Sequence, residues 1–306
     1  MGVPAASDIL EFNGVSGTIS NVPTLTFRGI IVTAGNIILN GDGNTTKTLT
    51  PGDANLDNAI VINTGAGLTI GNNLDIALAN NARAAVDGTL IVSINRNYYT
   101  RSGETTKTIV NGTLRNESGN IASADSTLEF KNGAIYEHAG DKGMIPAAIW
   151  SENSTCSIEG VITKAPDGLD QIFGNYKWNC ESQTGGASLG AAIPSDIRGD
   201  LIIDKIGNDP AAYISFPGKV KIGGDFILHS GSCTGKEANT IIDLSGDLII
   251  KGGNLKTNAE INIHFRGTGK QAISKTGGTI KAIKFAVLKN ADRKSTRLNS
   301  SHRTGS

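Results

Sequence analysis

Three stretches decide the fold: "GDLIIDK" (Gly199–Lys205), "GDFILHS" (Gly224–Ser230) and "GDLIIKG" (Gly246–Gly252). "GNYKWNC" (Gly174–Cys180) is a fourth of the same shape, and the four leading glycines are 25, 25 and 22 residues apart. Each unit is a glycine, then Asp or Asn, then a short apolar run. Short apolar runs bounded by Gly, Asn and Asp read as strands. A repeat of twenty-odd residues made only of strands and turns fits one coil of a parallel β-solenoid. Each coil returns to its starting point one strand spacing higher, about 4.8 Å along the axis. On this reading Gly and Asp/Asn recur because every coil turns the same corner and these residues tolerate its backbone angles.

The first half carries a variant of the unit, "DGTLIV" from Asp87, "NGTLRN" from Asn111 and "NGAIYE" from Asn132. "GNIILN" from Gly35 and "GLTIGN" from Gly67 are more diverged, with room for an inserted loop between them. "KAIKFAVLKN" (Lys281–Asn290) is β-branched and aromatic, and reads as a further strand. No long segment has a 3.6-residue apolar period between helix caps. The expectation is an all-β, single-stranded, right-handed parallel β-helix of eleven or twelve coils, a rod roughly 50–60 Å long. A β-sandwich has similar strand spacing but would not return one signature at such regular intervals, and propeller blades are longer. Residues 1–13 are assigned to an N-terminal fragment or cap, 14–165 to diverged coils, 166–291 to more regular coils, and 292–306 to a foreign or disordered tail.

Composition agrees. The 306 residues include 39 glycines and only 5% aromatics, which predicts a core of small aliphatic columns rather than aromatic packing. No apolar run reaches membrane-spanning length. The run "DRKSTRLNSSH" (Asp292–His302) resembles a translated sequencing adapter. Without that basic tail the acidic residues are in slight excess, which argues against nucleic acid as a partner. The opening "MGVPAASDIL" has neither a charged n-region nor a long apolar h-region, so it reads as a cytosolic start or as a cut within a longer chain.

"MIPAAIWSENSTCSIEG" (Met144–Gly160), "GLDQIFGNYKWNC" (Gly168–Cys180) and the "GDLII" and "GGDF" units resemble the repeat region of secreted bacterial surface proteins. Those proteins carry parallel β-helices and are often exported by the type IX route. The resemblance covers roughly Gly14–Ala291. It implies an extracellular or cell-surface location, with the export signal and sorting domain lying outside this sequence.

Candidate chemistry is sparse. Asp200, Asp225 and Asp247, with Asn175 below them, form one corner column. Stacked carboxylates repel by about 1 kcal/mol per pair in water. A Ca²⁺ ladder would relieve that; alternatively each Asp accepts a backbone N–H at its turn, which the sequence favours. Asp53, Asn55 and Asp57 have the spacing of a calcium loop, but Asn58 and Thr64 stand where such a loop needs Gly and Glu. Cys156 and Cys180 are 24 residues apart, one coil, so they are either a disulfide between neighbouring coils or two buried apolar residues. Cys233 is expected to be free. "GSCTGKE" (Gly231–Glu237) lacks the spacing and the hydroxyl of a phosphate loop. Strict alternation sends Ile202, Ile227 and Ile249 outward, in column with Lys177. That stripe is a candidate contact surface.

Two functions remain. One is a non-enzymatic stalk, adhesin or glycan-binding scaffold whose partners are glycans or other surface proteins. The other is a fragment of a carbohydrate-active β-helix enzyme, a polysaccharide lyase or glycoside hydrolase. Scattered charge, no metal-ligating histidine pair and no G-x-S-x-G motif favour the first, with no catalytic residue and no cofactor assigned.

Overall fold

The computed structural model describes residues 4–52, 58–100, 106–124, 127–186, 189, 192–209, 211–237, 239–255, 261–281 and 283–288. Every strand pairing among them is parallel, and no α-helix is present among the described residues. The chain winds as a three-walled β-solenoid of about twelve coils. The second wall is one unbroken sheet of twelve strands, from Gly17–Val22 to Ile273–Lys275. Eleven steps at about 4.8 Å make it roughly 53 Å long.

The other two walls are each interrupted once. The first runs through seven strands from Ile9–Phe12 to Ile149–Trp150, and resumes as six from Ile172–Phe173 to Ile283–Val287. The third has five strands from Leu25–Phe27 to Asn120–Ala122, and resumes as four from Ile214–Phe216 to Thr279–Ile280. The ladder therefore begins inside the segment assigned to a cap, since Ile9–Phe12 already pairs with Gly29–Val32. The final run "IKFAV" is a strand, in register with Ile261–Phe265.

Alternation along each strand builds the core. On the second wall Leu68, Leu90, Leu114, Tyr136, Cys156, Tyr176, Leu201, Phe226 and Leu248 stack in one inward column, and all are fully buried. Each such side chain contributes about 1.5–3 kcal/mol by leaving water. The expectation of a purely aliphatic core is corrected where the third wall is missing. There the chain closes the third side without ladder strands, through bonds such as Lys142 N–H to the Lys164 carbonyl and Ala165 N–H to the Leu189 carbonyl, and aromatic rings fill the core. Phe130 stacks on Trp150 at 4.3 Å between ring centroids, Trp150 meets Phe173 at 4.9 Å, and Phe173 meets Tyr176 at 5.7 Å.

The polar tips in this aromatic section are all bonded, as buried polar atoms must be. Trp178 Nε1 donates to Gln183 Oε1 (3.0 Å), and the Tyr176 hydroxyl donates to the Ala192 carbonyl (2.8 Å). Asn116 and His138 stand in an inward column that is otherwise aliphatic apart from Trp178. His138 Nε2 donates to the Lys142 carbonyl (2.6 Å), so its Nδ1 is the acceptor for the Tyr136 hydroxyl (3.1 Å). Asn116 Nδ2 donates to that hydroxyl (3.4 Å), and Asn116 Oδ1 accepts the Gly119 N–H (2.7 Å). Burial lowers the pKa of His138, against a smaller opposing effect of the Lys142 carbonyl. The ring is held neutral.

Candidate functional site

The corner column is a backbone device. Asn175 Oδ1 accepts the Asp200 N–H at 2.9 Å, Asp200 Oδ1 accepts the Asp225 N–H at 2.7 Å, Asp225 Oδ1 accepts the Asp247 N–H at 2.7 Å, and Asp247 Oδ1 accepts the Ala272 N–H at 2.7 Å. Each side chain thus bonds the coil above it, at the same corner. The role of the preceding glycine differs from the expectation. Gly199, Gly224 and Gly246 are not in the left-handed region. A Cβ on them would fall 2.1, 2.1 and 2.3 Å from the oxygens of Asn175, Asp200 and Asp225. Glycine recurs there to leave room for the side chain arriving from below. The left-handed positions lie elsewhere, at Asn73, Asn81, Asn95 and Gly133 among others.

Ile202, Ile227 and Ile249 stack in register on the outer face of the second wall, directly above Lys177. All three are half-buried, because neighbours in the ladder cover one another. Asp204 is the extra residue of a bulge beside this stripe: Trp178 pairs with Ile203, and Asn179 already pairs with Lys205. Its carboxylate meets Lys177 Nζ at 3.0 Å and His229 Nδ1 at 3.7 Å. Below Lys177 the same outer column holds Arg115, Glu137 and Ser157. Arg115 bridges Glu117, Glu137 and Glu159 at 3.1, 2.8 and 3.5 Å.

Elsewhere on the outer walls Glu129 and Asp243 are likewise paired with cations. Burial raises the pKa of Glu129, but hydrogen bonds and charge from Lys107 and Lys131 outweigh this and hold its carboxyl below the usual range. Asp243 behaves in the same way, with Arg266 and Lys219 outweighing burial. Asp141 is pulled down to about 2, because three N–H groups of residues 162–164 and the Thr163 hydroxyl outweigh burial.

A cleft of about 830 Å³ lies where the first wall is interrupted and the strands of the third wall stop. It opens between the last strand of the lower first wall, Ile149–Trp150, and the first strand of its continuation, Ile172–Phe173. Two side chains replace the backbone partners that a continuous ladder would supply. Gln171 Oε1 accepts the Ala148 N–H (2.9 Å) and Trp150 Nε1 (3.2 Å), while its Nε2 donates to the carbonyls of Gly168 and Pro146. The Arg198 guanidinium donates to the Trp150 carbonyl. Met144, Ile149 and Ile172 give the rim exposed apolar surface, at 54, 45 and 54%, beside the exposed Asp170 and Arg198. Asn120, Ile121 and Ala122, the top strand of the lower third wall, form another side.

Not all of the candidate residues meet. Cys156 stacks on Tyr176, and Cys180 lies two residues beyond Trp178, the partner of Ile158. The two cysteines therefore occupy different columns. The expected stacking is corrected because this coil advances the register by 20 residues (Thr155 over to Asn175), not 24. Cys156, Cys180 and Cys233 are all free and buried. Burial pushes the Cys180 thiol up to about 12 and raises the other two as well. Asp53 and Asp57 lie outside the described residues. Among the described residues no cluster of three or more His, Cys, Asp or Glu side chains is set to hold a metal ion, and no helix is long and apolar enough to cross a membrane.

Sequence reasoning missed Gln171, Arg198 and the His138 network. The available signal was local: "GLDQIF" and "DIRGD" place a polar side chain beside each corner, where the apolar repeat is at its least regular. No family model, no curated protein and no solved structure matches the chain.

Proposed function

We propose that the chain is a non-enzymatic structural and adhesive repeat segment of a secreted or cell-surface bacterial protein. It is a stiff spacer that presents outer columns to a partner. The observation that carries this reading is the unbroken second wall. Twelve strands in parallel register, locked at the corner by Asn175, Asp200, Asp225 and Asp247, make a stiff axial strut. The secretory placement rests on the resemblance of Met144–Gly160 and Gly168–Cys180. The charge arrangement supports the non-enzymatic reading. Glu129 and Asp243 sit in ion pairs and Asp141 caps backbone N–H groups, and these partners lower the pKa of each, a structural use of charge.

The stripe of Ile202, Ile227 and Ile249 is the proposed contact surface, since a ladder of apolar residues on an outer face favours association. The test has two parts. The protein is incubated with neutral and uronic-acid polysaccharides while reducing ends and unsaturated products are followed, and its retention on the same immobilised glycans and on bacterial cells is measured. Retention without product, lost in Ile227→Lys, is the expected result. Product that accumulates with time would assign the chain to the carbohydrate-active enzymes instead.

A further inference from the structure

We infer that the cleft at the interrupted walls takes an extended peptide by strand addition, with the peptide's terminal carboxylate on Arg198. The first observation is an open sheet edge. Asn120–Ala122 is the top strand of the lower third-wall sheet; among the described residues no strand pairs its upper side, and the next coil reaches it just beyond its end, where Ser123 Oγ donates to the Ala147 carbonyl (2.6 Å). The Asn120 N–H donates downward to the Arg96 carbonyl, and the Ala122 carbonyl accepts from the Thr100 N–H below it. Alternation then turns the N–H and C=O of Ile121 upward, toward the cleft that this residue lines while itself only 5% exposed. An unpaired edge is a template for an extended backbone, which supplies the missing donor and acceptor.

The second observation is the space and its lining. A volume of about 830 Å³ falls within the range of about 300–1,000 Å³ typical of ligand pockets. Met144, Ile149 and Ile172 offer exposed apolar surface at the rim for alternate side chains of an added strand. The third observation is charge. Arg198 and Asp170 are both exposed and line the cleft, but they are not ion-paired, and no carboxylate of the described residues lies within ion-pair distance of Arg198. Arg115 and Arg266, by contrast, are each bridged to acids. A guanidinium with donors to spare matches a carboxylate in a bidentate way. A sugar chain fits less well, because Trp150, the one aromatic ring in the lining, is only 2% exposed and offers no stacking face.

This inference does not depend on whether the rod is an adhesive or an enzyme fragment. The probe is an N-acetylated hexapeptide of alternating valine and threonine with a free terminal carboxylate, compared with its amidated twin, on the full chain. Titration by fluorescence anisotropy is expected to show saturable binding of the acid and at least about tenfold weaker binding of the amide, the worth of roughly one charge-assisted hydrogen bond. Arg198→Gln abolishes the difference between the two peptides. Ile172→Asp, at an exposed position, weakens the acid at least about tenfold through lost apolar contact and like charge. Amide exchange read by NMR is expected to slow at Ile121 when the probe binds. Absence of binding at millimolar probe, equal affinity for acid and amide, or unchanged exchange at Ile121 overturns the inference. So does saturable binding of an oligogalacturonate that the peptide fails to displace, which would give the cleft to acidic glycans.

Discussion

Gly199→Ala should be destabilising for a reason that a second substitution removes. The backbone at Gly199 lies outside the left-handed region, so alanine can adopt it. The obstacle is the neighbour. A Cβ there lies 2.1 Å from Asn175 Oδ1, and the next nearest atom of another residue is the Glu152 carbonyl oxygen at 3.3 Å. The Asn175 amide must rotate away, giving up the Asp200 N–H that it accepts at 2.9 Å. Losing the bond and leaving that part-buried N–H unsatisfied costs about 1–3 kcal/mol. Asn175→Ala removes the same bond and costs about the same. In the double variant the loss is counted once and the severe clash is gone, leaving a tight contact with the Glu152 carbonyl at 3.3 Å that a shift of a few tenths of an ångström relieves. Gly→Ala at a compatible position then stabilises by about 0.4–1 kcal/mol through the unfolded chain. Gly199→Ala should therefore destabilise the native background and be neutral or stabilising in the Asn175→Ala background. A double-mutant cycle by urea unfolding measures this coupling. Stacked-repeat proteins can unfold in segments, so hydrogen exchange at Asp200 serves as a local readout. An equal effect of Gly199→Ala in both backgrounds would refute the steric account of the corner.

Three further outcomes follow from the buried groups. His138 is neutral in the fold with a lowered pKa, while in the unfolded chain it titrates near 6.5; its contribution is fully present above that value and is lost as pH falls through the folded pKa, so urea midpoints should drop on acidification and drop less in His138→Gln. Asp141, at about 2 in the fold, contributes stability above the ordinary carboxyl range that is lost as pH falls toward 2, and Asp141→Ala should cost about 1–3 kcal/mol and speed amide exchange at residues 162–164. The three buried thiols should resist a thiol-reactive dye in the native protein and react in full after denaturation without any reductant; missing thiol equivalents under those conditions would restore the disulfide reading.

How far the sequence carried depends on which forces act locally. The corner units at Asn175, Asp200, Asp225 and Asp247 were legible because a side chain that must bond the next coil, and a glycine that must make way for it, repeat wherever the coil repeats. The outward placement of Ile202, Ile227 and Ile249 followed from the period of two alone. The reason for the glycine was not legible, since a clash with a residue 24 or 21 positions earlier looks, in one dimension, like a turn preference. The pairing of Cys156 with Cys180 failed on register: coil length shortens to 20 at that step, and counting by the average coil misplaces a residue by four. The aromatic section and the cleft escaped because they arise where the repeat lapses. Trp150, Gln171 and Arg198 come together from three successive coils across an interrupted wall, and no periodicity marks that contact.

The central claim, one axis of stacked parallel rungs, is tested most directly by distances along a single outer column. Ile38, Glu137 and Ile249 belong to the second, sixth and eleventh strands of the unbroken wall, on its outer face. Spin labels introduced there in pairs and read by pulsed electron spin resonance should give about 19 Å for the first pair, 24 Å for the second and 43 Å for the outer pair, at about 4.8 Å per step. The two shorter distances should sum to the longest within the reach of the labels. A longest distance well short of that sum would contradict the solenoid, because three residues on one straight ladder cannot fold back on themselves.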